Sequence, residues 1–160
     1  MKKFTVLFIL FILPIVAYLF FASGINSFGK LPIITKNIDD LENFKSNVNQ
    51  KVTLNNKITI LAFAGNEIIK NQGNFFNFTE QIYNRNKDFT DFQLVIIAPI
   101  GTENQVAELQ SKLAKLTDLK GWNFVFGTPQ DILKYHEKLH LKNKLNPDFG
   151  TNLFYIVDKK

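Results

Sequence analysis

Two stretches of this chain, Lys57 to Ala64 and Phe92 to Ala98, are apolar at almost every position instead of at every second one. A strand with one wet face alternates, whereas a strand apolar throughout has to be covered on both faces. Trp122 to Phe126, ended by Gly127, and Asn152 to Val157 repeat the pattern. Helical spacing falls between them. Phe75, Phe76, Thr79, Ile82 and Tyr83 mark a helix within Gly73 to Asn86, and Val106, Leu109, Leu113 and Leu116 mark one from Thr102 to Leu116. Thr128-Pro129 is an N-cap followed by proline at the first helical position, and predicts a third helix running to about Lys142. Strands alternating with helices define the α/β class, with helices on both faces of the sheet. Leu31 to Thr35, with Pro32, is expected to be an edge strand. Asp39 to Val48 is ambiguous: Leu41, Phe44 and Val48 have helical spacing, but the stretch is short.

The N-terminus is different in kind. After Lys2 and Lys3, Phe4 to Ala22 runs 19 residues without a charge. As a helix it spans about 28 Å, close to the ~30 Å hydrocarbon core of a bilayer. Pro14 is compatible with a spanning helix. The lysines favour the cytoplasmic side, so the remainder is expected to be translocated. Residues 1–24 are therefore a membrane anchor or a cleaved signal segment, with cleavage near Ala22-Ser23-Gly24 in the second case. The run exceeds the usual ~7–15-residue signal core, which favours the anchor. Residues 25–30 form a linker, and 31–160 form one domain of ordinary size.

Composition excludes several functions. The chain carries +5, but without Lys2 and Lys3 the remainder has 17 basic and 14 acidic residues, a net +3. Those charges are interspersed and Arg85 is the only arginine, so no nucleic-acid footprint exists. There is no cysteine, which excludes disulfides, thiolate metal sites and thiol nucleophiles. Seventeen phenylalanines supply a core that needs no staples. Phe75, Phe76 and Phe78 cannot all point inward from one helix.

Gly127-Thr128-Pro129-Gln130-Asp131-Ile132, preceded by Trp122-Asn123-Phe124-Val125-Phe126, resembles the W-x-F-L-x-G-T-P-E-x-I stretch of the SCO/SenC family. Ile58 to Phe63 is similar to that family's first core strand. Phe92 to Pro99 is similar to its V-x-V-V-x-I-S-V-D-P strand, with Ala98 in place of Asp. Asn152 to Asp158 is similar to its I-Y-L-I-D strand. The resemblance covers Leu31 to Asp158 and implies a membrane-anchored thioredoxin-like sheet flanked by helices. It also implies a role around copper delivery to cytochrome oxidase. The ligands that chemistry uses are missing. The C-x-x-x-C positions fall at Ile68 and Gln72, and the histidine position falls at Gly150. Soft copper needs thiolate or thioether donors, and none is nearby. The closing strand and helix of such a fold also have no counterpart after Asp158-Lys159-Lys160, which leaves either a truncated domain or an edge strand that something else covers.

Two other features compete for attention. His136-Glu137-Lys138-Leu139-His140 matches H-E-x-x-H, which on a helix sets two zinc ligands one turn apart with Glu137 as general base. No histidine or glutamate follows His140 to act as third ligand. Two partly exposed histidines beside Ile132, Leu133 and Leu139 are the expectation instead. Gly65, Asn66, Glu67, Lys70 and Gly73 lie on the loop between the first core strand and its helix, a candidate binding loop that is otherwise a solvated connection.

The sequence thus predicts a non-redox SCO-like protein, held in the inner membrane by one helix with its domain in the periplasm. It would act as a binding or assembly accessory, with no cofactor and no catalytic residue. Its partners would be the membrane and another membrane or periplasmic protein. A zinc-dependent hydrolase and a degenerate chain without activity are the alternatives.

Overall fold

A computed structural model of the chain describes residues 2–22, 33–46 and 51–159. It divides into two compact units, Met1–Ile33 and Ile34–Lys160. The first contains helix α1, Lys2–Ala22, with Pro14 inside it. This one N-terminal helix is long and apolar enough to cross a membrane, and residues 3–20 bury nothing against protein. The expected linker, residues 25–30, lies outside the described residues.

The second unit is a mixed α/β domain built on a five-stranded sheet. Its strands are β1 (Lys45–Ser46), β2 (Ile58–Ala64), β3 (Phe92–Pro99), β4 (Trp122–Gly127) and β5 (Gly150–Val157), in the order β1-β4-β3-β2-β5. β2, β3 and β4 are mutually parallel; β1 and β5 are antiparallel additions at the two edges. Both faces are covered over β2, β3 and β4, as their uniform apolar runs require; for β5 that expectation is corrected, since Leu153 and Ile156 at this sheet edge are exposed. Ile60, Ala62, Leu94, Ile96, Phe124 and Phe126 pack on one side. Leu61, Phe63, Val95, Ile97 and Val125 pack on the other.

On the first face lie α2 (Gln72–Phe78), a π-helical turn over Thr79–Tyr83, α3 (Asn84–Asn86) and α4 (Glu103–Leu113). The π turn holds one more residue than an α turn, which rotates the following positions. Tyr83 is therefore buried, while Ile82 faces outward. The Tyr83 hydroxyl accepts the Gly121 N–H at 3.1 Å. Phe75 and Phe78 point inward and Phe76 is half-buried. On the second face α5 (Pro129–Lys138) presents Ile132 and Tyr135. Thr128 caps it as the sequence predicts, its hydroxyl oxygen accepting the Asp131 N–H at 3.2 Å.

Four local expectations are corrected. Residues 33–35 form no strand, and Leu31 and Pro32 lie outside the described residues. The edge beside β4 is taken by Lys45–Ser46, within the ambiguous stretch Asp39 to Val48, of which residues 47–48 lie outside the described residues. α4 stops at Leu113, so Leu116 leaves the apolar stripe and is exposed. The Thr102 side chain does not cap α4; its hydroxyl donates to the Pro99 carbonyl at 2.7 Å. α5 stops at Lys138, four residues short of Lys142.

Candidate functional site

The loop after β2 and the loop before β5 meet at the end of the sheet. Gly65 takes a left-handed conformation, φ +71°, which glycine adopts without penalty. The Asn66 N–H donates to the Asp148 carbonyl at 2.9 Å. Gly150 pairs across the sheet with Ala64. Its N–H donates to Asp148 Oδ1 at 3.2 Å, and its carbonyl accepts the Asn146 N–H at 2.8 Å. The approach is close: a Cβ on Gly150 would lie 3.1 Å from the Ala64 oxygen and from both the N and Cα of Gly65. A Cβ on Gly65 would lie 2.6 Å from Asp148 Oδ2 and 2.9 Å from the Gly150 nitrogen. The cleft left between the loops is about 20 Å³, room for about one water.

The three positions implied by the resemblance diverge here. Ile68 is fully buried within the core of the first face. Gln72 opens α2, and its Oε1 accepts from Lys112 Nζ at 2.9 Å, on α4. Gly150 has no room for a side chain. Of the loop residues, Asn66, Glu67, Lys70 and Gly73 are exposed, and Gly65 is buried. Lys70 and Glu67 pair with each other at 2.7 Å, which raises the Lys70 pKa through that hydrogen bond and the adjacent charge. Sequence reasoning missed Gln105. Its amide donates to the Asn66 carbonyl at 2.8 Å, and its Oε1 accepts the Ile69 N–H at 3.3 Å. A glutamine two residues into a helix carries no signal that it will clamp a loop 36 residues upstream.

The histidines also separate. His136 is buried on α5, with its ring edge-on to Phe63 at 5.3 Å, and its Nε2 has no hydrogen-bond partner. Burial pushes its pKa below the ordinary imidazole value, against the opposing pull of Glu137. His140 lies past the helix end in a left-handed conformation, φ +49°, and is exposed. The expectation of two partly exposed histidines on a helix reaching Lys142 is therefore corrected. The helix ends at Lys138, so the second histidine does not share it with the first, and histidine tolerates the left-handed conformation better than most residues. Among the described residues no three His, Cys, Asp or Glu side chains gather as a metal site. Zinc titrated into the protein is expected to show no binding tighter than micromolar. Micromolar or tighter affinity that disappears in His136→Ala would contradict this geometry.

A larger cleft, about 320 Å³, lies between the segment before β1 and α5, and was not visible in the sequence. Asp39, Asp40, Glu42, Phe44, Tyr135 and Lys138 line it. Asp39, Asp40 and Lys138 are engaged within the protein. Lys138 Nζ reaches Asp39 Oδ2 at 2.5 Å, and the Tyr135 hydroxyl donates to the Asp39 carbonyl at 3.1 Å. Burial, reinforced by the two aspartates, holds the Tyr135 phenol well above its ordinary value. Asp40 staples the segment to the loop before β2. Burial works against its ionisation, but it accepts from the Thr53 hydroxyl at 2.6 Å and from the N–H groups of Leu54 and Leu41. Together these hold its carboxyl below the usual range.

No protein-family model matches the chain, and no curated protein or solved structure matches it.

Proposed function

We propose that this chain is a membrane-anchored, non-redox relative of the SCO/SenC proteins, with a thioredoxin-like domain that works by binding another protein. Its place would be the periplasmic side of the inner membrane, held by the N-terminal helix and oriented by Lys2 and Lys3. Its role would be that of an assembly accessory in respiratory-complex biogenesis, with cytochrome oxidase the complex the resemblance points to. The resemblance draws copper ligands from the loop after the first core strand and the loop before the antiparallel strand. In this chain those two loops are neighbours, joined by the Asn66–Asp148 hydrogen bond.

The observation that carries the reading is how that junction is filled. Where the resemblance implies ligands, Ile68 is core, Gln72 ties α2 to α4, and Gly150 touches backbone. The strands and loops on which the resemblance rests are present and the junction between the loops packs as structure, which suits a protein that recognises a partner more than one that holds a metal. A hydrolase reading draws less support, because His136 and His140 do not share a helix. Cu(I) titration of the full chain in detergent tests the proposal. No stoichiometric binding is expected; one tightly bound Cu(I) per chain would overturn it.

A further inference from the structure

We infer that the surface around Thr35 and the loop after α5 rests on anionic phospholipid headgroups of the membrane that holds the N-terminal helix, an inference that depends on that helix being an anchor. The first observation is where the tether joins the domain. The Thr35 hydroxyl donates to the Leu139 carbonyl, just past α5. Residues 34–36 are thereby held beside the start of the loop that follows the helix. Twelve residues, Ser23 to Ile34, separate Ala22 from Thr35. At ~3.3–3.6 Å per residue this tether reaches about 45 Å at full stretch. A patch at its attachment therefore meets the lipid surface at high effective concentration, and a modest attraction suffices to hold it there.

The second observation is charge. The Thr35–Leu139 bond joins two runs that contain no acidic residue, Ser23 to Ile38 and Lys138 to Pro147. Lys36, Lys142 and Lys144 are exposed. Leu141 and Leu145 pack against the core of the second face, which pins the loop on both sides of Lys142-Asn143-Lys144. Elsewhere Lys70, Lys112, Lys120, Lys138 and Lys159 are each held by a carboxylate. Among the described residues no carboxylate pairs with Lys36, Lys142 or Lys144. Of the acids flanking these runs, Asp39 is taken by Lys138, and Asp148 accepts the Gly150 N–H at the junction of β2 and β5. That leaves Glu137 opposing three lysines. The third observation is that Ile34, between the tether and Lys36, is 59% exposed. An apolar side chain next to unpaired ammonium groups matches the boundary between acyl chains and phosphates, where the one dips in and the others stay with the anions. An acidic protein segment would match the lysines but not the isoleucine.

Because the chain has no cysteine, a single introduced thiol carries the probe cleanly. Full-length Asn143→Cys, labelled with bimane, is reconstituted in phosphatidylcholine vesicles with or without phosphatidylglycerol, all containing a headgroup-nitroxide lipid. Quenching should be about threefold or more stronger with phosphatidylglycerol, and should fall to the phosphatidylcholine level at high salt. Adding Lys36→Gln, Lys142→Gln and Lys144→Gln together should abolish the difference, with melting temperature checking that the variant folds. Bimane on Lys115→Cys, exposed beyond α4 on the other face, should be quenched alike in both vesicles. Flotation of the same samples reads the anchor separately. Protein that floats with both compositions but is quenched equally at position 143 would overturn the inference alone. So would a phosphatidylglycerol effect that the three glutamines leave intact, or one as large at position 115. Protein that floats with neither composition would overturn the anchor, and the inference with it.

Discussion

Putting the ligands back, by Ile68→Cys, Gln72→Cys and Gly150→His together, should destabilise the domain strongly instead of creating a copper site. The histidine is the decisive change. Its Cβ alone would stand 3.1 Å from three backbone atoms of Ala64 and Gly65, and backbone does not rotate aside as a flexible side chain does. Overpacking of that kind costs about 1–3 kcal/mol. Ile68→Cys removes methyl groups from a site that is fully buried, and large-to-small changes there cost about 2 kcal/mol or more. Gln72→Cys loses only the bond to Lys112 and should be the mildest of the three. The sum, about 4 kcal/mol, is a large fraction of a stability typically 5–15 kcal/mol. For a domain of this size it should lower the melting temperature by roughly 15 °C. Thermal melts of the three single variants and the triple would measure it. A triple variant that melts like the parent and takes up one Cu(I) would mean that the junction is open, and the proposal of a non-metal role would fail with it.

Much of the fold was legible because its signals are local. The four apolar runs needed only their own composition to be identified as strands, three of them covered on both faces, and the Thr128-Pro129 cap is a property of four consecutive residues. The errors have a common cause, which is that the deciding partner lies elsewhere in the chain. Lys45–Ser46 is a strand because β4 offers it an edge at Val125 and Phe126; two residues have no periodicity to read. Nothing near Ile82 announces the π turn, which lets Tyr83 reach the N–H of Gly121. The cleft at Asp39 and Tyr135 joins segments nearly a hundred residues apart. At the candidate site, Gly150 was found by counting from a resemblance. The need for glycine there follows from its contact with Gly65, a relation that no spacing rule expresses.

His136→Phe should make the protein both more stable and less sensitive to acid. In the folded chain the imidazole is buried against Phe63 with Nε2 unpartnered. A buried polar atom without a partner costs about 1–3 kcal/mol, and phenylalanine keeps the edge-on ring contact while removing that atom. A gain of about 1 kcal/mol at neutral pH is expected, after allowing for the slightly larger ring. The pH dependence follows from burial. It lowers the folded pKa beneath the unfolded value of 6.5, with the nearby Glu137 carboxylate opposing it. Between those two values the unfolded chain binds more protons than the folded one, so stability rises with pH across that window. Read downward, stability is intact above pH 6.5 and is lost as pH falls through the folded pKa. Denaturant midpoints measured from pH 7.5 to pH 5 should therefore slope in the parent and flatten in His136→Phe. His140 is an exposed side chain beyond the helix end. The two histidines of the H-E-x-x-H segment would then behave as unrelated groups, one structural and one solvated, as their separation by the end of α5 requires. If the slope survives in His136→Phe, the acid-labile group lies elsewhere, and His136 is hydrated enough to serve as a ligand after all.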